Sequence, residues 1–398
     1  MLIGHLSVSC EVEKKTMNTS DTAIGRYINH ILMPMTKLSG KSDQLHLITN
    51  QNSDVDYSKE KIKVFKLFKK NMNVGWNIYT HLKKTNYDLI HFQHEFFIYG
   101  GIPQSFLITL ALFFIRKPKK IITAHHILDI SKLDKKTVVD NNYNYPVLLV
   151  KVGLTLSYIM MALATNKIIV HEDEQKKILE NNLGKYLKNI SKKIVVIPHG
   201  IGKKKNIVKD QARNKLNLKS KQYIIFFGYV SKHKGLDLFL NAIQRLQAEG
   251  RDISGIIAGG YHPKLKLNLE YKNYYDKLFN FSKTLNNVAW LGFAEDKDLS
   301  AIFSAADLAV FPYTTRNATS GSVTDAIAYS VPFILSSKFN TITDYEGLFF
   351  ELNVESLSKK IILALDGSNR TQAVLADLQS KYDWAKISIQ LKKLYITP

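Results

Sequence analysis

The chain is 398 residues long, 45% hydrophobic and 11% aromatic, which is enough apolar side chain for two ordinary cores rather than one. Its single cysteine, Cys10, excludes a disulfide framework and points to a reducing compartment, and no cysteine and histidine cluster has metal-site spacing. With 55 basic against 34 acidic residues the formal charge is +21, which favours an anionic partner such as a sugar nucleotide, a lipid diphosphate, an acidic membrane surface or nucleic acid.

Residues 1–9 read as a first strand, because they lack the basic region, long apolar core and small-residue cleavage site of a leader peptide. Residues 24–35 have helical spacing, 45–49 and 61–67 look like strands, and 74–83 a helix. A strand over 87–93 ends in polar residues, 102–115 is helical, and a strand over 120–124 ends at His125 and His126. The apolar run 106–115 is too short to cross a bilayer, and 147–170 is interrupted by Lys151, Asn166 and Lys167, so both are expected as buried helices, the second running into a strand at 167–170. Basic clusters at 59–70, 116–120 and 132–136 all fall in the first half. The first two interleave basic with apolar residues, the pattern of a membrane-surface patch or of a solvated helix face. A final strand at 193–198 is followed by His199, Gly200 and a lysine-rich connection reaching 220.

The alternation then restarts, with strands at 223–227, 254–258 and 288–291 and helices at 236–249, 271–285 and 299–305. Residues 307–337 read strand, loop, helix, strand, and 355–365 and 384–395 supply closing helices. The expected fold class is therefore α/β, two doubly wound parallel-sheet domains in tandem. Ligands of such sheets bind outside the carboxyl ends of the strands. Two domains facing one another would gather His94 and Glu95, His125 and His126, the segment 228–234, Gly259 and Gly260, and the segment 313–322 around a shared cleft.

Within 307–337, Ser320, Gly321 and Ser322 fall where the helix starts. Their backbone N–H groups have no intrahelical partner and the helix dipole is positive there, so they form a seat for phosphate. Asp325, one turn on, can accept hydrogen bonds from the sugar hydroxyls of a nucleotide. The plainer alternative is that Ser320 or Ser322 caps the helix and Gly321 relieves a turn. Neither a G-x-G-x-x-G after the first strand nor a phosphate-binding G-x-x-x-x-G-K-[ST] is present, which disfavours a nicotinamide or flavin dehydrogenase and a P-loop enzyme.

The stretch FFGYVSKHKGLDLFLNAIQRL from Phe226 resembles the opening of the donor-binding domain in retaining glycosyltransferases of the GT-B fold, glycosyltransferase family 4. Further stretches are similar in order and spacing: NTSDTAIGRYINHIL to a first-helix motif, LIHFQHEFFIYGG and IITAHHI to acceptor-domain loops, KIIVHEDEQKKIL to the segment after them, and VIPHGI to a linker strand. VAWLGFAEDKDLSAIFSAADLAVFPY resembles the approach to the donor loop, and YDWAKISIQLKKLY a closing helix. The resemblance implies an acceptor-binding Rossmann-like domain over 1–200, a nucleotide-sugar donor domain over 201–380 and a helix over 381–398 crossing back. It implies retaining transfer of a hexose from a UDP- or GDP-sugar to a hydroxyl acceptor, without metal or cofactor. The basic, apolar segments of the first half favour a glycan or lipid-linked acceptor in the cytoplasm at the inner face of the membrane, as in polysaccharide or glycolipid assembly, with peripheral contact to anionic lipid.

Matched residue by residue, Lys234 takes the place of the lysine that contacts the donor diphosphate, where a fixed cation stabilises the leaving group. His125 matches the histidine at the donor hexose, and His126 can exchange roles with it. Ser320, Gly321 and Ser322 match the phosphate loop, with Gly228, Lys232, Asn317 and Thr319 in the same donor site. Gly25 and Arg26 belong to the first-helix motif, and His94 and Glu95 to an acceptor loop. The chain departs from the family where two glutamates seven residues apart become Asn317 and Asp325, where the arginine after the strand-end glycine becomes Tyr229, with Lys232 as the substitute cation, and where Ala23 replaces a common glycine. Those departures keep open a second reading, a catalytically impaired homologue acting as partner or scaffold of an active transferase. A nucleotide-sugar epimerase is a third, and nucleic acid lacks any stacking or groove-reading motif.

Overall fold

Strands buried on both faces need near-continuous apolar runs, and runs such as Leu308–Phe311 (LAVF) supply them. The computed structural model describes residues 1–8, 19–38, 40, 42–52, 62–140, 143, 145–262, 265, 268–315, 320–339, 345–367 and 371–397. The side chain of Ala23 is not described, and Cys10, Asn317 and Thr319 lie outside the described residues. The chain divides into two compact units, one of Met1–Gly200 with Trp384–Pro398, the other of Ile201–Asp383.

The first unit runs β1 (Leu2–Leu6), α1 (Thr19–Leu38), β2 (Gln44–Asn50), β3 (Ile62–Phe68), α2 (Val74–Lys84), β4 (Leu89–His94), α3 (Ile102–Phe114), β5 (Lys119–Ala124), α4 (Lys135–Asp140), α5 (Val147–Ala164), β6 (Lys167–Val170), α6 (Asp173–Leu183) and β7 (Ile194–Val196). Its strands form one sheet in the order β3-β2-β1-β4-β5-β6-β7, parallel throughout. Alternation along β4 sends Ile90 and Phe92 into the core shared with Ile78, Leu112 and Leu154 of α2, α3 and α5. Leu89 goes to the opposite core, with Ile28, Ile31 and Leu32 of α1. His91 and Gln93 keep step with Leu89, so the period of two puts both polar side chains on that second face.

The second unit runs α7 (Lys209–Lys215), β8 (Gln222–Phe227), α8 (Leu236–Ala248), β9 (Ile253–Ala258), α9 (Leu269–Ser282), β10 (Ala289–Trp290), α10 (Asp296–Ala305), β11 (Leu308–Phe311), α11 (Gly321–Ala328), β12 (Phe333–Ser336), β13 (Phe349–Phe350), α12 (Val354–Leu365) and α13 (Thr371–Lys381). Its sheet has the order β10-β9-β8-β11-β12-β13 and is parallel. Ile224, Phe226 and Val310 pack towards Phe239 and Leu357 of α8 and α12, while Ile225, Ala309 and Phe311 pack towards Phe303 and Val323 of α10 and α11.

The last helix, α14 (Trp384–Ile396), belongs to the first unit. Ile387, Leu391 and Tyr395 complete the core formed by α1, and Trp384 stacks on His30 at 4.9 Å between ring centroids. The chain returns at 383/384 rather than at 380/381. The lysine-rich connection expected to reach 220 contains α7, and the second strand of the segment 307–337 starts at Phe333, after Ser330 turns the chain through a left-handed conformation (φ 57°). The apolar run 147–170 is α5 followed by a break at Thr165 and then β6.

Candidate active site

In the second unit the loops after β8 and β11 converge on one ammonium group. After β8, Gly228 adopts φ +115°, a conformation that L side chains rarely take. A methyl group there would collide with Lys234 Nζ and stand 2.8 Å from Ser322 Oγ, so glycine leaves the space into which both groups point. Lys234 ends a single 3-10 turn (Lys232–Lys234), and Gly235 (φ 68°) reverses the chain into α8. Its Nζ lies 3.5 Å from Ser322 Oγ and 5.3 Å from the centroid of the Tyr313 ring.

Tyr313 Oη is 3.2 Å from Ser320 Oγ. Ser320 is the N-cap of α11, yet its side chain makes no capping bond, so the capping alternative raised by the sequence does not describe this helix start. The first-turn amides of α11 therefore have no acceptor within the helix. Gly321 is exposed with nothing within 4 Å of where a Cβ would be. The result is a half-buried ammonium, a run of backbone donors and a positive helix end around a space a side chain would fill, which is the chemistry of a phosphate seat. Asp325, partly buried, lies within α11 itself.

Lys232 points elsewhere. Its Nζ is 2.5 Å from Glu270 Oε1, both groups being well exposed, so the cation expected to replace the missing arginine is engaged with a carboxylate. Tyr229, which occupies the arginine position, has its ring 5.8 Å from that of Phe293 in a stacked arrangement.

In the first unit the strand ends carry a chain of imidazoles. His125 Nδ1 is 3.2 Å from His171 Nε2, and His171 Nδ1 is 3.0 Å from the Ile197 carbonyl. A carbonyl only accepts, so His171 carries its proton on Nδ1, its Nε2 accepts, and neutral His125 donates from Nδ1. His125 Nε2 is then an acceptor. Gln93 Oε1 is placed 3.0 Å from His125 Nε2 and Gln93 Nε2 3.2 Å from His91 Nε2. Two acceptors cannot share a hydrogen bond, so the tautomers above require the carboxamide turned over, its nitrogen donating to His125 and its oxygen accepting from His91 Nε2. His91 Nδ1 in turn accepts from Tyr395 Oη at 2.5 Å. Tyr27 packs edge-on against His125 and His171 and also touches His199 and Trp384.

Burial holds these rings neutral. Desolvation pushes His171 down to about 4 and His199 to about 3. It is also the main cause that takes His125 well below the usual histidine range, with the neighbouring His171 adding to it. Burial lowers His126 as well, and takes His94 to about 4.

The other first-unit candidates are placed as follows. Both ring nitrogens of His125 are engaged, so it meets a ligand only by exchanging one of these partners. His94 is fully buried, and its ring nitrogens have no hydrogen-bond partner among the described residues. Glu95 Oε2 accepts from the amides of Phe97 and Ile98, each at 3.0 Å, capping a 3-10 turn. Those two bonds fix the carboxylate at the start of the turn. Gly25 is buried and Arg26 partly exposed on α1. Sequence reasoning did not single out His91, Gln93 and His171, and the available signal was the two-residue step from Leu89 through His91 to Gln93, which puts both polar side chains on one face of β4. Tyr27, which the sequence placed only in the first-helix motif, joins them. Among the described residues no group of three or more His, Cys, Asp or Glu can hold a metal ion.

These two parallel-sheet units with flanking helices are a GT-B architecture, and solved structures of that kind align over essentially the whole chain. Sucrose-phosphate synthase from Thermosynechococcus elongatus is similar with TM-score 0.66 at 16% identity, covering 99% of this chain and 98% of that one. Alr3699/HepE from Anabaena, in complex with UDP-glucose, is similar with TM-score 0.65 at 15% identity, covering 99% of each chain. A glycosyltransferase from Rickettsia africae is similar with TM-score 0.65 at 16% identity, covering 99% of this chain and 97% of that one. No curated protein matches the chain in sequence. Residues 208–376, within the second unit, match the family described as Glycosyl transferases group 1.

Proposed function

We propose that the protein is a retaining glycosyltransferase that moves a hexose from a UDP- or GDP-sugar to a hydroxyl acceptor. The observation that carries this reading is the meeting of Lys234 Nζ, Ser322 Oγ and the open backbone of Gly228 at the start of α11. The donor diphosphate lies there, with its oxygens on the amides of Gly321 and Ser322, its charge against Lys234, and the ribose hydroxyls on Asp325. The UDP-glucose bound by Alr3699/HepE supports a nucleotide-sugar donor.

The bond between the anomeric carbon and the diphosphate oxygen breaks with its electron pair going to the diphosphate. The acceptor oxygen bonds to the same face of that carbon and its proton leaves with the phosphate oxygen. Lys234 and the helix end stabilise the departing charge, the task a metal ion performs in other transferases. Neutral His125 positions the hexose through Nε2, and Arg26 and His126 serve the acceptor. A lipid-linked or glycan acceptor in polysaccharide or glycolipid assembly, reached from the cytoplasm, suits the basic first half of the chain.

A donor screen scored by nucleotide release, with and without a membrane lipid extract, tests the reading. The expected result is release from one sugar nucleotide that is lost in Lys234→Ala with the fold intact, and unchanged release in that variant refutes it. Tyr229 in place of an arginine, with Lys232 held by Glu270, favours the impaired homologue as the second reading. Calorimetry in which no UDP- or GDP-sugar binds would select it.

A further inference from the structure

Three helices of the first unit lie side by side on one face of the sheet. A Cβ at Gly75 of α2 would strike the Leu107 carbonyl of α3, and one at Gly153 of α5 would be 3.3 Å from Ile102 Cγ2 of α3. The inner stripe of α5, with Val150, Leu154, Tyr158 and Met161, is buried in the core. Its outer stripe is also apolar. Leu148 is 71% exposed, and Leu149, Val152 and Leu156 are exposed at helical spacing along the same side. Phe113 and Phe114, the latter 62% exposed, close the C-terminal end of α3, and Trp76, 67% exposed, stands on α2.

The charge around these helices has one sign. Residues 61–87, 96–128 and 141–171 contain no aspartate or glutamate, while Lys83, Lys84, Arg116 and Lys117 stand exposed at the C-terminal ends of α2 and α3. An exposed apolar face with a basic rim, no acidic residue and a tryptophan among its members fits the boundary between lipid headgroups and acyl chains. α5 is long and apolar enough to cross a membrane by length and composition, but its inner stripe is committed to the core, so the helix can lie on a bilayer and not span it.

We propose that the outer face of α2, α3 and α5 is a docking surface for an anionic lipid bilayer, with Leu148, Leu149, Phe113, Phe114 and Trp76 entering the interface and Arg116 and Lys117 meeting the headgroup charge. The proposal is independent of glycosyl transfer, since it rests on a surface of the first unit alone.

Flotation of the whole chain with vesicles of phosphatidylcholine alone, or mixed with phosphatidylglycerol, tests it at low and high salt. Binding to the mixed vesicles is expected to be stronger by on the order of tenfold and weakened by salt. Combined Arg116→Gln and Lys117→Gln should weaken it by on the order of tenfold, and combined Leu148→Ser and Leu149→Ser should abolish it. Trp76 fluorescence should be quenched by brominated lipid, a signal missing from Trp76→Phe. Nucleotide binding measured in the absence of lipid should be unchanged in all these variants, which separates this surface from the donor site. Equal affinity for both vesicle types, or no affinity for either, overturns the proposal. So does a dimer in solution that the Leu148→Ser and Leu149→Ser pair dissociates, since the face would then be covered by a second copy.

Discussion

Lys234 Nζ stands 3.5 Å from Ser322 Oγ, although 88 residues separate them in the chain. The contact joins the turn after β8 to the first turn of α11, so a single anion can touch both. Charge-assisted hydrogen bonds to a phosphate contribute about 1.5–3 kcal/mol each. Lys234→Ala should therefore weaken binding of UDP or GDP by roughly 10- to 100-fold with little change in thermal midpoint, as checked by calorimetry and circular dichroism.

Gly228→Ala should impair the same site by a different route. The added methyl would occupy the space now shared by the ammonium and the serine hydroxyl, and φ +115° is strained for alanine. A stability loss of about 1–3 kcal/mol is expected, together with loss of nucleotide binding. Urea unfolding and calorimetry measure the two effects separately, and a variant that still binds nucleotide would show that the space is not used.

Acidification should destabilise the first unit. His171 and His199 sit in the fold at about 4 and about 3, against 6.5 for an unburied histidine. Below pH 6.5 the unfolded chain therefore takes up protons that the folded chain refuses, so stability rises with pH across this range. The contribution is complete above pH 6.5 and is lost as pH falls towards 4. Thermal midpoints measured at pH 7.5, 6 and 5 should fall in that order, and a flat profile between pH 7 and pH 5 would contradict the neutral imidazole chain.

Asp307→Ala should loosen α7. The Asp307 carboxylate accepts from Arg213 Nη2 at 2.5 Å, from Lys209 Nζ at 2.7 Å and from the Tyr223 amide at 2.7 Å. Removing one member of a largely shielded pair strands its partner, and partial solvent access reduces the cost to about 2 kcal/mol. The urea midpoint of the second unit is the measurement, and Asp307→Asn should lose less, because it can still accept from the Tyr223 amide.

The strands and the apolar helices could be read from the sequence because their burial requires uninterrupted or periodic apolar residues. The segment Leu308–Phe311 is such a run, as is α8, whose buried Leu236, Phe239, Leu240 and Ile243 recur at helical steps. α7 could not be read, since KDQARNK buries only Ala212 and is held by the charges that meet Asp307. At the donor loop the residue types around Lys234 and Ser320–Ser322 carried the signal. The direction of Lys232 did not, because whether a long side chain meets Glu270 or a ligand depends on a helix that starts 37 residues later at Leu269. The imidazole chain was half visible. His125 stood in a motif, whereas His171 and His91 join it only once β4, β5 and β6 are laid side by side.

The placement of α14 bears on how the polypeptide is made. Trp384, Ile387, Leu391 and Tyr395 fill a core whose other buried members are synthesised within the first 200 residues. The second unit is one continuous segment and can mature on the ribosome as soon as it has emerged. The first must wait with its α1 side open until translation has passed Ile396. During that interval the groove destined for α14 is where a chaperone would find the nascent chain, although the segment that exposes it was made first.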